Sequence, residues 1–196
     1  MGESRPVVLI AYPKEWACFS KLNRKLNTLL ANLSAFDVML FDDEQGLLAR
    51  FTADDSRSPG VLRWSEHGVM PDYAVVFDDG VSFVELKSQL GQAQVKLRLI
   101  PVQVTRLVNI DKQAPYDVYI GRGSGFGNPY AIGIEGDDRD EVIRKFQYDF
   151  DRGYLKNDFK QRLLAVQGKT LGCHCKPLPC HGDVLVNYLN AYDDGR

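Results

Sequence analysis

Residues 7–11, Val-Val-Leu-Ile-Ala, form a continuous apolar run that ends at Tyr12 and Pro13. Such a run is the mark of a strand buried on both faces, which points to a parallel sheet covered by helices. Over residues 14–33, Trp16, Phe19, Leu22, Leu26, Leu29, Leu30 and Leu33 recur at helical spacing, with Lys21, Arg24 and Lys25 largely on the other side. Residues 35–42 (Ala-Phe-Asp-Val-Met-Leu-Phe-Asp) read as a second strand. Strand, helix and strand in that order predict a right-handed crossover and an α/β fold.

Residues 47–51 are a short apolar piece compatible with helix or strand, and the polar run at 52–60 reads as an exposed loop. Residues 73–77 (Tyr-Ala-Val-Val-Phe) are the clearest strand of this half and run into Asp78-Asp79-Gly80. Ser82 is the expected N-cap of a helix over 83–92, with Glu85 at the capping-box position. Residues 95–105 alternate as one further strand, and Pro101 suits a sheet edge. Carboxylates at the carboxy end of a parallel strand, here Asp78, Asp79 and Glu85, suit a ribose hydroxyl or acid–base work. The plainer reading is an Asp-Gly turn and a helix cap.

The strand-helix start and the strand ending in Asp-Asp-Gly before a helix resemble the small stand-alone members of the SLOG superfamily of Rossmann-like nucleotide-binding domains, over residues 7–105. The resemblance implies a Rossmann-like parallel sheet. It departs at one place: the Gly-Gly-x-x-Gly-x-x-[Glu or Asp] phosphate loop is missing, and residues 42–60 offer no substitute. Glycine-rich loops matter because bare backbone N–H groups must approach a phosphate closely. The expectation is a domain that has lost nucleotide binding or binds by another route.

The natural joint between the halves is residues 109–115, giving expected domains of 1–105 and 106–196. Residues 116–120 alternate as a strand and feed Gly121-Arg-Gly-Ser-Gly-Phe-Gly-Asn-Pro129, whose glycines let the backbone approach a ligand. Arg122 offers bidentate contacts to phosphate or carboxylate, while Ser124 and Asn128 offer neutral hydrogen bonds. A helix begins at 137–141, with Asp138 and Glu141 at capping-box spacing, and ends near Gly153. A second helix over 155–166 follows, then a short strand at 169–172 and a last helix capped by Asp183.

Between that strand and helix lies Gly-Cys-His-Cys-Lys-Pro-Leu-Pro-Cys-His-Gly-Asp, from Gly172 to Asp183, with three of the four cysteines and two of the three histidines. Two prolines stiffen it as a loop. Together with Tyr119-Ile-Gly-Arg-Gly-Ser124, Gly127-Asn-Pro129 and the acidic helix start, this stretch resembles a bacterial and phage domain family of unknown function, over residues 106–190. The resemblance implies a site made of Arg122, Ser124, Asn128, Cys173, Cys175, Cys180 and His181, but no reaction. His174 falls outside the implied set.

Three chemistries fit the cysteine loop. Zinc needs four N or S ligands, and Cys173, Cys175, Cys180 and His181 are the nearest set, with His174, His67 or water as other fourth ligands. An iron–sulfur cluster is a second metal option. Alternatively, Cys180 is a nucleophile at a helix N-terminus with His181 as its base. The third option is plain packing of small buried cysteines.

A net charge of −2 and scattered Lys and Arg exclude a generic nucleic-acid coat. No apolar run approaches the roughly 18–20 residues of a membrane span, and the amino terminus lacks a signal-peptide pattern. A cytoplasmic protein with reduced thiols is the expectation. The leading functional expectation is a carboxy-terminal domain that binds a nucleotide- or nucleoside-like ligand. Arg122 would take the anionic group and Ser124 and Asn128 the sugar or base, with hydrolysis or transfer at a nucleotide or glycosidic bond as the reaction class. The rival is a non-enzymatic zinc-stapled module that binds a protein or nucleic-acid partner.

Overall fold

The computed structural model describes residues 5–64, 68–134, 137–156 and 158–196. The chain divides into two compact units, the first running to Val102 and taking in Asp193–Arg196, the second spanning Gln103–Tyr192. Among the described residues no helix is long and apolar enough to cross a membrane.

The first unit is a five-stranded parallel sheet in the order β3-β2-β1-β4-β5, the strand order of one Rossmann-like half with its extension. Its strands are β1 (Val7–Ala11), β2 (Asp37–Leu40), β3 (Val61–Arg63), β4 (Tyr73–Asp78) and β5 (Lys96–Pro101). Central β1 is buried from Val8 to Ala11, as a strand covered on both faces must be. Among the described residues, the helices that connect them are α1 (Phe19–Leu29), α2 (Leu47–Asp54) and α3 (Val84–Gln92).

α1 is shorter than its periodicity predicts, because residues 13–16 form a turn closed by Trp16 N–H to Pro13 O at 2.9 Å. Trp16 then stacks on Phe77 with centroids 4.9 Å apart. The undecided piece at 47–51 is helix α2, which buries Leu47, Leu48 and Phe51. Ser82 is not the cap of α3. That position is taken by Phe83 at φ 61°, and Ser82 instead donates its hydroxyl to Asp79 at 3.0 Å. The residues Asp193–Arg196 hold α1, with Lys21 on both Asp194 oxygens at 3.0 and 2.9 Å and Arg24 bidentate on Asp193 at 2.7 and 3.0 Å.

The second unit is a three-stranded parallel sheet in the order β6-β8-β7, formed by β6 (Arg106–Asn109), β7 (Val118–Tyr119) and β8 (Thr170–Cys173). The single strand expected over 95–105 therefore ends at Pro101, and β6 is a strand that the alternation did not reveal. The expected joint at 109–115 lies inside this unit, where Asn109 caps a 3₁₀ turn over Ile110–Lys112. Helices α4 (Arg139–Arg152), α5 (Phe159–Leu164) and α6 (His181–Ala191) complete it. Ile120, Phe146, Phe150, Phe159, Leu163, Leu171, Leu185 and Leu189 make one continuous core that also includes Cys173 and Cys180.

Candidate functional site

β7 and β8 are neighbours in parallel register, Val118 against Leu171 and Tyr119 against Gly172. Parallel strands release their following loops at the same edge, so the glycine-rich loop and the cysteine loop meet there. Between them lies a cleft of about 200 Å³ lined by Tyr119, Gly121, Arg122, Asn128, Tyr130, Arg139, His174 and the three cysteines, among others. That is smaller than the roughly 300–1,000 Å³ of a common ligand pocket, and suits one ring or one anionic group.

The glycine-rich loop is folded tightly on itself. A Cβ on Gly127 would stand 2.7 Å from Gly121 O, and one on Gly121 would stand 2.1 Å from Tyr119 Oη. Side chains expected to meet a ligand are partly committed to this shape. Ser124 Oγ accepts from Phe126 N–H at 3.2 Å and does not line the cleft. Asn128 lines it, but its Oδ1 accepts from Tyr130 N–H at 2.9 Å and its Nδ2 donates to Val142 O at 3.1 Å. Both side chains thus help to hold the shape of the loop. Arg122 is different: it is exposed, lines the cleft and has no partner among the described residues.

His181 is held by the glycine-rich loop. It is 7% exposed, its Nε2 lies 2.9 Å from Ile120 O, and the Phe126 backbone is a second hydrogen-bond partner. Its ring meets Phe146 edge-on at 5.2 Å. Burial lowers its pKa, and the neutral ring ties Ile120, where the glycine-rich loop begins, to α6. The cap of α6 is Cys180, whose Sγ accepts from Gly182 N–H at 3.3 Å, while Asp183 closes the box by accepting Cys180 N–H at 2.8 Å.

The thiols divide in character. Cys173 Sγ and Cys180 Sγ are 3.7 Å apart and both are buried. The Cys180 thiol, then the backbone N–H groups of Lys176 and Cys175, stabilise the Cys173 thiolate and pull its pKa down to about 6 against the cost of burial. Cys180 moves the other way, raised by its bond to Cys173 and by burial. Within the pair, the surroundings favour the thiolate at Cys173 over Cys180. Cys175 lines the cleft and is half-buried.

The four-ligand zinc set is not assembled. His181 turns its Nε2 to the Ile120 carbonyl, and among the described residues no group of three or more His, Cys, Asp or Glu converges to hold a metal ion. His67, offered as a fourth ligand, lies outside the described residues. His174 does enter the cleft wall, with Nδ1 2.8 Å from Asp111 Oδ1 and its ring edge-on to Tyr119 at 5.8 Å.

Arg139 is the residue that sequence reasoning missed. It stands in the first turn of α4, lines the cleft and donates to Pro179 O at 3.2 Å. Its signal was an arginine where the helix dipole favours acids. The amino ends of α4 and α6 are capped by Asp138 and Asp183, while Arg122 and Arg139 both line the cleft, and among the described residues that line it none is Asp or Glu. The local field therefore favours an anion.

The first unit offers the opposite at the ends of its strands. Asp43 accepts from Tyr12 Oη at 2.5 Å and from the N–H groups of Leu48 and Ala49 at 2.9 Å each, so a carboxylate of the chain itself sits on the amino end of α2. Burial, then Asp43, raises the Tyr12 pKa. Asp79 closes a turn by accepting from Val81 and Ser82 N–H at 3.1 and 2.7 Å, and Asp78 pairs with Lys87 at 2.8 Å. Glu85 is exposed in the first turn of α3. The turn-and-cap reading of Asp78 and Asp79 accounts for these bonds.

Comparison with known proteins agrees with this division. Residues 5–108 match the minimal SLOG domain, and residues 102–191 match a domain of unknown function, DUF4326. An uncharacterized 12.4 kDa protein from the nrdA-td intergenic region of Enterobacteria phage T4 is 37% identical over 89 residues, which are 45% of this chain and 80% of the phage protein. No solved structure matches the chain. SLOG domains are, as a superfamily, associated with nucleotide-related ligands. With the match spanning the whole parallel sheet of the first unit, the chain belongs to the minimal SLOG domain family, carrying the DUF4326 domain as its second half.

Proposed function

We propose that the second unit binds a small anionic ligand of nucleotide-related chemistry, with its phosphate held in the cleft between the glycine-rich and cysteine loops. The observation that carries this reading is the presence of two arginines, Arg122 and Arg139, in a cleft whose described lining holds no acid. Among the described residues Arg122 has no partner to give up when an anion arrives. The volume of about 200 Å³ accepts a phosphate with part of its sugar or base rather than a dinucleotide. The SLOG association with nucleotide-related ligands supports the same class.

A reaction in this cleft, hydrolysis or transfer at a nucleotide or glycosidic bond, would draw on Cys173 as nucleophile and on His174, oriented by Asp111, as proton carrier. The zinc-stapled reading has less support, because among the described residues no three or more His, Cys, Asp or Glu converge on one point.

Equilibrium binding tests the proposal. Nucleoside monophosphates should bind the full chain and the matching nucleosides should bind far more weakly. Arg122→Ala should lower phosphate affinity by about 10- to 150-fold, as expected for loss of a charged hydrogen bond of about 1.5–3 kcal/mol, with the melting temperature unchanged. Equal affinity for nucleoside and nucleotide, or an unaffected Arg122→Ala variant, would sink it.

A further inference from the structure

We propose that Cys173 and Cys180 form a dithiol that reacts with hydroperoxides and closes to an intramolecular disulfide in the wall of the cleft. The two sulfurs stand 3.7 Å apart at fixed points of the fold, one at the end of β8 and the other at the N-cap of α6. A disulfide needs about 2.05 Å between sulfurs, so side-chain rotation covers most of the remaining gap. The intervening turn is held by Leu178 N–H to Cys175 O at 2.9 Å and by the Asn109 amide on Lys176 O. Both sulfurs line the cleft, which gives a molecule as small as hydrogen peroxide a route to otherwise buried thiols. Backbone N–H groups of Cys175 and Lys176 favour the thiolate at Cys173, which suits it as the attacking sulfur, while the Lys176 ammonium is paired with Asp183.

The steps balance with a hydroperoxide as oxidant. Cys173 sulfur attacks one peroxide oxygen, the O–O bond breaks, and the leaving oxygen takes a proton and departs as water. Cys173 is then a sulfenic acid. Cys180 sulfur attacks it, the S–O bond breaks, and the hydroxyl leaves as water with the Cys180 proton. Two thiols lose two electrons, and the peroxide is reduced to two waters. No ligand is needed in the cleft, so this outcome is independent of the anion-binding reading.

The test is one equivalent of hydrogen peroxide on the reduced full chain, followed by thiol counting and peptide mapping without reductant. Free thiols should fall from the four of the reduced chain to two, with Cys173 linked to Cys180 and with Cys18, buried in the first unit, left reduced. Dithiothreitol should restore all of them. Cys180→Ser should accumulate a dimedone-trappable sulfenic acid at Cys173, and Cys175→Ser should form the disulfide at a rate within about twofold of the parent. Retention of four free thiols in the folded protein, a Cys173–Cys175 or interchain linkage, or an unlabelled Cys173 in Cys180→Ser would overturn the proposal.

Discussion

The two units each put strand ends, helix starts and polar side chains in one place, yet with opposite charge logic. In the first, Asp43 occupies the amino end of α2, and Asp78 and Asp79 are bound up with Lys87, Gly80, Val81 and Ser82. In the second, Asp138 and Asp183 likewise cap α4 and α6, but Arg122 after β7 and Arg139 at the start of α4 line a cleft with no acid among its described lining. A carboxylate within the chain satisfies a helix amino terminus as a phosphate does, so the difference between the units lies in the arginines and not in the helix ends. The comparison teaches that family membership of the first unit does not locate the ligand; the unsatisfied charge does.

The largest effect that would sharpen this contrast is expected at Gly182. A Cβ there would come within 2.8 Å of Ile120 Cδ1 and 2.9 Å of Leu107 Cδ2, both under the cleft. Gly182→Val should cost about 1–3 kcal/mol from overpacking and weaken ligand binding, read by denaturant unfolding and by titration on the same sample. Next comes Asp43→Ala. Losing the cap of α2 should destabilise the first unit by about 0.5–2 kcal/mol, while nucleotide affinity stays within about twofold because the two sites share no partner. A large loss of affinity in this variant would break the comparison.

The smallest effect is a pH dependence. Burial holds His181 below its ordinary pKa, so the unfolded chain binds its proton more readily than the folded one. Its contribution to stability should be complete above about pH 6.5 and be lost as pH falls from there through the lower folded value. Urea unfolding between pH 7 and pH 5 should show this slope in the parent, and His181→Gln should flatten it.

Much of the fold was legible because burial leaves a plain pattern. The apolar run of β1, the strand at β4 and the heavy stripes of α4 through Val142, Phe146 and Phe150 were readable from spacing alone. What was not legible depended on partners distant in sequence. The alternation over 95–105 carries no mark of where the chain leaves one sheet for another, so β6 was hidden. Leu47, Leu48 and Phe51 fit either period over five residues, and only the bonds to Asp43 settle α2 as helix.

At the site, the sequence located both loops, and parallel pairing of β7 with β8 brings them together. It could not assign their side chains. His181 reads as a base or ligand next to a cysteine until the carbonyl of Ile120, 61 residues away, claims its ring. Arg139 reads as ordinary helix surface until the cysteine loop is seen beside it.

The most direct test of the central claim is amide hydrogen exchange on the full chain with and without a saturating nucleoside monophosphate. The account predicts added protection at residues 121–128 and 173–182, with none at residues 43–49 or 78–85. Protection confined to residues 43–49 and 78–85 would contradict it, and would place the ligand on the SLOG sheet after all.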